Sequence, residues 1–266
     1  VVVAAPAKLT LTLRITDGPR PDGLHPIEAE MVSLDFGDEL AITPRPSGSP
    51  SLVRYRGATD HVPSGDDLVT RALALAGRSA AVMVTKRIPA GAGLGGGSAD
   101  AAAVLRWADF DDLERAALDL GADVAFCLVG GRARVSGIGE VVDPLPYEER
   151  VVTLLTPPVH CPTGAVYQAW DRLDDRSAPG LNDLEPAALV VRPELAHWRD
   201  ELAAATGQRP QLAGSGSTWF VYGSHPGPGR VVAQTVPAPD PLLRHGAVGE
   251  RGDRSPAPPV TDDEPG

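Results

Sequence analysis

Polar and apolar positions alternate from the first residues. Val1 to Ile15 mixes β-branched and small residues in the two-residue period of a strand, with an interruption near Pro6. Residues 17–26, DGPRPDGLHP, are turn chemistry, and residues 27–43 alternate enough for one or two strands. RPSGSPS (45–51) is a loop. In residues 66–77, Leu68, Ala72, Leu75 and Ala76 share one helical face, acids open the stretch and Gly77 stops it. Residues 80–88 read as a strand. From Ser98 onward Ala101, Val104, Leu105 and Ala108 recur at i, i+3, i+4 and i+7, and residues 112–121 predict another helix. Strands follow in RARVSG and RVVTLLTPP, then helices over 162–173 and 192–206. A strand, a glycine turn and a strand fill 211–223, and residues 230–236 are a last strand. Residues 237–266 are rich in proline and acids without periodicity and read as a disordered tail. Strands dominate the first half and helices are interleaved later, so the expected class is α+β with a mixed or antiparallel sheet.

PAGAGLGGGSAD, residues 89–100, joins the strand ending near Ile88 to the helix expected from Ser98. Gly91, Gly93 and Gly96 fit the dinucleotide pattern G-x-G-x-x-G. Lys86-Arg87-Ile88-Pro89-Ala90 stands between the β-branched run and the glycines, however, and Asp111 and Asp112 fall at a helix start rather than at a second strand end, which disfavours a Rossmann turn. The triphosphate loop G-x-x-x-x-G-K-[ST] fails because Gly97 is followed by Ser98 and Ala99. What fits is a glycine run whose backbone amides turn around phosphate oxygens, backed by a helix N-terminus with Ser98 as cap or hydroxyl donor.

The 266 residues carry a net charge of −11, and the only lysines are Lys8 and Lys86. Without a basic stripe the chain is not expected to bind nucleic acid. Cys127 and Cys161 lack metal-ligand spacing and read as reduced, buried thiols; no metal ligands are expected. No apolar run is long enough for a membrane span and no export signal opens the chain, so a soluble cytoplasmic protein is expected.

IPAGAGLGGGSADAAA resembles the phosphate motif of the GHMP kinase superfamily. Residues 4–40, 120–140 and 212–223 narrow the resemblance to the branch that acts on a cytidine-diphosphate-linked methylerythritol in the non-mevalonate isoprenoid pathway. It implies a two-lobed GHMP kinase fold. Residues 1–145 would form an N-terminal lobe of ribosomal-protein-S5-like type, and 146–236 a trimmed ferredoxin-like C-terminal lobe, with only SHPGPG where a helix is usual. It also implies ATP with Mg²⁺, and phosphoryl transfer to a substrate hydroxyl. Lys8 in P-A-K and Asp123 in G-A-D-V match the catalytic pair. Pro89, Ala90, Gly91, Ala92, Gly93 and Leu94, followed by Gly95, Gly96, Gly97, Ser98 and Ala99, match the ATP-binding stretch. Thr10, His25, Tyr167, Gly214, Ser215 and Gly216 match substrate-binding positions, His25 and Tyr167 at the cytosine. Lys86 matches a lysine that would neighbour the nucleotide or lie on the surface.

Several positions depart from that pattern. Thr10 stands where asparagine is usual, Leu24 where tyrosine precedes the histidine, Asp67 where an asparagine lies near adenine, and Ala125 where a proline follows G-A-D-V. The altered shell leaves two alternatives: a GHMP kinase for homoserine or a mevalonate-type alcohol, and a non-catalytic nucleotide-binding relative.

Overall fold

The computed structural model describes residues 1–57, 67–173 and 180–239; most of the predicted tail, and Asp66, lie outside the described residues. Ten strands form one connected sheet. Its spine is β2 (Ile27–Pro44), a single strand where one or two were expected. One edge of β2 pairs antiparallel with β1 (Val2–Ile15) along nearly its whole length. The other edge is shared. Ile27–Val32 pairs with β5 (Arg132–Gly137), Ser33 and Leu34 with β10 (Arg230–Val236), and Glu39–Pro44 with β4 (Ala80–Lys86). Beyond β4 lies β3 (Leu52–Gly57), parallel to it and joined to it through the helix α1 (Leu68–Leu75). β6 (Val141–Leu145) pairs with β5. On its other edge β10 pairs with β7 (Val151–Leu155), and the sheet continues through β9 (Trp219–Tyr222) to β8 (Gln211–Leu212). β10 thus joins strands of the first and second halves of the chain.

The helices α2 (Gly96–Trp107), α3 (Leu113–Leu120) and α4 (Ala122–Val129) pack with α1 in a core with Met31, Leu40, Ile42, Val82 and Val84 of the sheet. α5 (Thr163–Asp171), α6 (Glu185–Val191) and α7 (Leu195–Thr206) form a second helical core with Trp219 and Val221. Between them lies a third core of Ala7, Leu9 and Leu11 from β1 with Leu34, Leu154 and Phe220. β1 is therefore buried on both faces over Ala7–Leu11, and its apolar odd-numbered residues leave Lys8 and Thr10 on the opposite side.

Four elements were not anticipated: β3, β6, α4 and α6. The helix α4 buries Val124, Ala125, Phe126, Cys127 and Leu128, so it shows no apolar stripe and hides from a periodicity test. The helix α6 is short and has a proline in its first turn, and β6 contains Pro144. The helix α2 begins at Gly96 rather than at Ser98. Its N-cap is Gly95, in left-handed conformation with no side-chain cap, and Ser98 is the third helical residue. Ser98 is thus not the cap that the sequence suggested, because the glycines enter the helix. The cysteines are free and buried, and among the described residues no helix is long and apolar enough to cross a membrane.

Asp67 has a structural role at its altered position. Its side chain caps α1 by accepting from the Val69 and Thr70 amides at 2.9 and 3.0 Å, and it accepts the Tyr55 hydroxyl at 2.6 Å. Asp67→Ala removes both functions and is expected to lower stability by about 1–2 kcal/mol. Urea unfolding should show a reduced midpoint with an unchanged slope; an unchanged midpoint would contradict the capping role.

Candidate active site

The stretch 89–95 is a pinned loop that leads into α2. Ile88 just before it, and Ala92 and Leu94 within it, insert into the central core. The Leu94 carbonyl accepts the Lys8 amide at 3.0 Å and the Ala92 carbonyl accepts the Thr218 amide at 3.1 Å, stitching the loop to β1 on one side and to the approach to β9 on the other. Gly93 and Gly95 lie between these anchors with φ of +76° and +67°. A Cβ at Gly93 would stand 2.6 Å from the Gly216 carbonyl oxygen, and one at Gly95 would stand 2.7 Å from Lys8 Cγ. Only glycine meets both the backbone angle and the close approach.

This anchoring uses the loop's carbonyls and leaves its donors. Among the described residues no amide from Gly91 to Ser98 donates to a protein acceptor. Those of Gly96, Gly97 and Ser98 are the unpaired first turn of α2, whose dipole adds positive potential. Ala99 differs: its amide donates to Gly95 within the helix at 2.8 Å and its side chain is buried in the core, so it does not line the cavity. His160, which the sequence did not suggest, lies against Gly91.

The loop forms one wall of a cavity of about 930 Å³. Lys8 and Asp123, distant in sequence, meet there with Lys8 Nζ 3.2 Å from Asp123 Oδ2. Lys8 is buried, and its position is set by β1, whose pairing with β2 shifts register between Pro6 and Lys8 and again between Thr10 and Thr12. Such bulges re-aim side chains. Asp123 lies in the first turn of α4, directly after Gly121 (φ +119°), and its side chain is 40% exposed to the cavity. Thr10 is buried beside them and its hydroxyl accepts from Lys8 Nζ at 3.3 Å. Gly214 closes the group from the other side: a Cβ there would lie 3.6 Å from Lys8 Nζ and 3.7 Å from Thr10 Oγ1. Ser215 lines the cavity and its hydroxyl shares a 2.9 Å hydrogen bond with Thr163, whereas Gly216 faces Leu212 and Cys161 and does not line it.

Two further placements, those of Asn182 and Asp171, were not legible. Asn182, buried just before α6, donates to the carbonyls of Leu212 and Gly214 at 2.8 and 2.7 Å and accepts the Leu184 amide at 2.9 Å, fixing the second glycine turn. At the far end of the cavity His25 is buried against Tyr167, with ring centroids 5.0 Å apart in an offset stack, and its Nε2 lies 2.8 Å from Asp171 Oδ1. One face of Tyr167 is thus covered by His25. Leu24, the residue before, is 47% exposed.

Lys86 is not a surface lysine; it lines the cavity beside Gly96, with its ammonium paired. It is largely buried beneath the start of α2, bound to Asp38 and, at 2.6 Å, to Asp100. Asp38 also accepts the amides of Arg87 and Ile88, tying β2 to the entrance of the glycine loop. Burial pushes the Asp100 carboxyl up to about 7; Lys86 offsets part of that, and the charge of Asp38 adds to it. Burial pulls the Lys86 ammonium down, but Asp100 and Asp38 outweigh it and the net shift is upward.

Comparisons with known proteins show the family of the chain. Residues 67–131 match the GHMP kinases N terminal domain. The chain is 38% identical over 236 residues to a 4-diphosphocytidyl-2-C-methyl-D-erythritol kinase of Paracoccus denitrificans, covering 82% of this chain and 85% of the relative. The chain belongs to the 4-diphosphocytidyl-2-C-methyl-D-erythritol kinase family. A relative of the same name in Cereibacter sphaeroides is 35% identical over 264 residues, covering 89% of this chain and 94% of the relative. A crystal structure of a 4-(cytidine 5'-diphospho)-2C-methyl-D-erythritol kinase superposes with a TM-score of 0.71 at 30% identity, over 88% of this chain and 99% of that one. The expected α+β, two-lobed GHMP kinase fold is therefore the fold observed.

The Asp100 environment has a signed consequence. Between its ordinary 3.8 and about 7, the folded protein holds a proton that the unfolded chain has released, so this carboxyl makes stability fall as pH rises through that window and contributes no slope above it. Asp100→Asn should flatten the profile there. Urea unfolding at a series of pH values checks this, and parallel profiles for the two proteins would contradict it.

Proposed function

We propose that the chain is an ATP-dependent kinase that phosphorylates a hydroxyl of 4-diphosphocytidyl-2-C-methyl-D-erythritol, a step of isoprenoid precursor synthesis in the cytoplasm. The observation that carries this reading is the Lys8–Asp123 pair, 3.2 Å apart at the mouth of a loop whose amides have no protein acceptor among the described residues. In this reading residues 1–145 and 146–236 are the two lobes, and β10 returns from the second to join the spine of the first.

The amides from Gly91 to Ser98 bind the β- and γ-phosphate oxygens, favoured by the positive end of α2. The crowding at Gly93 and Gly95 leaves that path open to phosphate and to nothing bulkier on the loop itself. Phosphoryl transfer asks the protein mainly for positioning and charge stabilisation. Asp123, half-open to the cavity, accepts the proton that the attacking hydroxyl loses. Lys8 donates to Asp123, keeps that carboxylate oriented, and lies where negative charge grows on the transferred group. Thr10 accepts from Lys8 and so holds the ammonium in place, a function its hydroxyl performs without the amide usual at that position. Gly214 and Ser215 close over the pair from the second lobe.

Among the described residues no cluster of three or more His, Cys, Asp or Glu is spaced to hold a metal. The Ser98 hydroxyl, in the first turn of α2 at the cavity wall, would be the protein ligand to a Mg²⁺ carried in on the triphosphate. When bound, the ion offsets charge on the phosphate oxygens.

ATP consumption coupled to a panel of alcohols tests the reading. Turnover is expected with the cytidine-diphosphate-linked methylerythritol and not with homoserine or mevalonate; the reverse pattern overturns the substrate, and activity with no alcohol overturns the kinase. Asp123→Asn should lower kcat by about 10²–10⁴-fold with little change in ATP affinity. Wild-type turnover in that variant would refute the role of Asp123.

A further inference from the structure

His25 and the helix α5 form a device that the phosphoryl chemistry does not use. Tyr167, Trp170 and Asp171 fall at i, i+3 and i+4 of α5 and therefore on one face. All three meet His25. Tyr167 stacks on the imidazole, Trp170 meets it edge-on with centroids 5.5 Å apart, and Asp171 Oδ1 is 2.8 Å from Nε2. The His25 side chain is 3% exposed. Two aromatic neighbours thus hold the plane of the ring, and a flip exchanging its nitrogens would break the bond to Asp171.

An ionised carboxylate only accepts, so Nε2 must carry the hydrogen. In a neutral imidazole the other nitrogen is then a bare lone pair. Among the described residues the ring makes no second hydrogen bond, and His25 lines the cavity. We propose that Asp171 is a positioning residue that sets base specificity: by fixing the neutral ring of His25 as the Nε2–H tautomer it makes Nδ1 an acceptor, which selects a pyrimidine bearing an amino group over one bearing a carbonyl at that position. This rests on the reading of the substrate as cytidine-linked. A uracil in the same place would set its carbonyl oxygen against the lone pair, leaving both unpaired.

Two measurements test it. Long-range ¹H–¹⁵N spectra of the histidine-labelled protein, at mildly alkaline pH, should report His25 as the Nε2–H tautomer; an Nδ1–H tautomer or an imidazolium overturns the proposal without any variant. In Asp171→Asn, whose amide can present either a donor or an acceptor, the ratio of kcat/KM for the cytidine-linked over the uridine-linked substrate should fall by about tenfold or more. The loss should lie in KM for the cytidine substrate, with kcat at saturation and KM for ATP close to wild type. A wild-type ratio in the variant, or an equal loss of kcat with both substrates, overturns the proposal. If the wild-type enzyme turns over neither pyrimidine substrate, the function proposed above falls and the ligand named here with it, while the tautomer measurement still decides whether Asp171 fixes the ring.

Discussion

Everything at this site depends on a loop that must be rigid and yet leave its own donors unsatisfied. A glycine run left to itself is flexible, and an ordered backbone ordinarily pairs its amides. The conflict is resolved by letting other groups hold the loop. Ala92 and Leu94 are held by the core, and their carbonyls by β1 and the approach to β9. Lys86 is clamped between Asp38 and Asp100 beneath the helix that follows. With carbonyls and side chains fixed, the amides remain for an anion, and the order that binding needs is already in place before the ligand arrives.

The same economy appears in the Lys8–Asp123 pair. Neither residue has an unusual local element; one sits on a strand and the other in the first turn of a helix. What brings them together is that β1 is buried on both faces, which commits its odd residues to the core and turns Lys8 and Thr10 toward the cavity. The paired bulges add the local twist that hydrophobic patterning alone would not supply.

Much of this was legible in the sequence, for identifiable reasons. The helices α1, α3 and α7 have polar outer faces, α2 repeats Ala101, Val104, Leu105 and Ala108 at helical spacing although it is buried all round over 99–105, and the glycine loop and the P-A-K and G-A-D-V stretches carry their chemistry in short runs. The helix α4 was missed because it is apolar all round, and α2 was started late because Gly96 and Gly97 are poor helix formers that the loop geometry nevertheless recruits. Lys86 illustrates a different limit: its motif placed it near the nucleotide, but its partners Asp38 and Asp100 come from other elements, and only the register of β2 against β4 brings them within reach. Asn182 and Asp171 gave no signal, since an asparagine or an aspartate in a helix-rich stretch has no spacing that marks it. Their roles arise from long-range contacts to the second glycine turn and to the β1–β2 connection.

The contact between Gly93 and the turn at Gly216 also bears on how the protein comes into being. The glycine loop, Lys8 and Asp123 all lie in the first half of the chain, whereas Ala213, Gly216 and Thr218, which brace the loop, follow after α7. On the ribosome the reactive groups therefore emerge long before the part that gives them their spacing. A nascent or truncated first half would hold the glycine loop and the Lys8–Asp123 pair and still lack their geometry, so that the capacity to transfer a phosphoryl group comes only with the closing of the last strands.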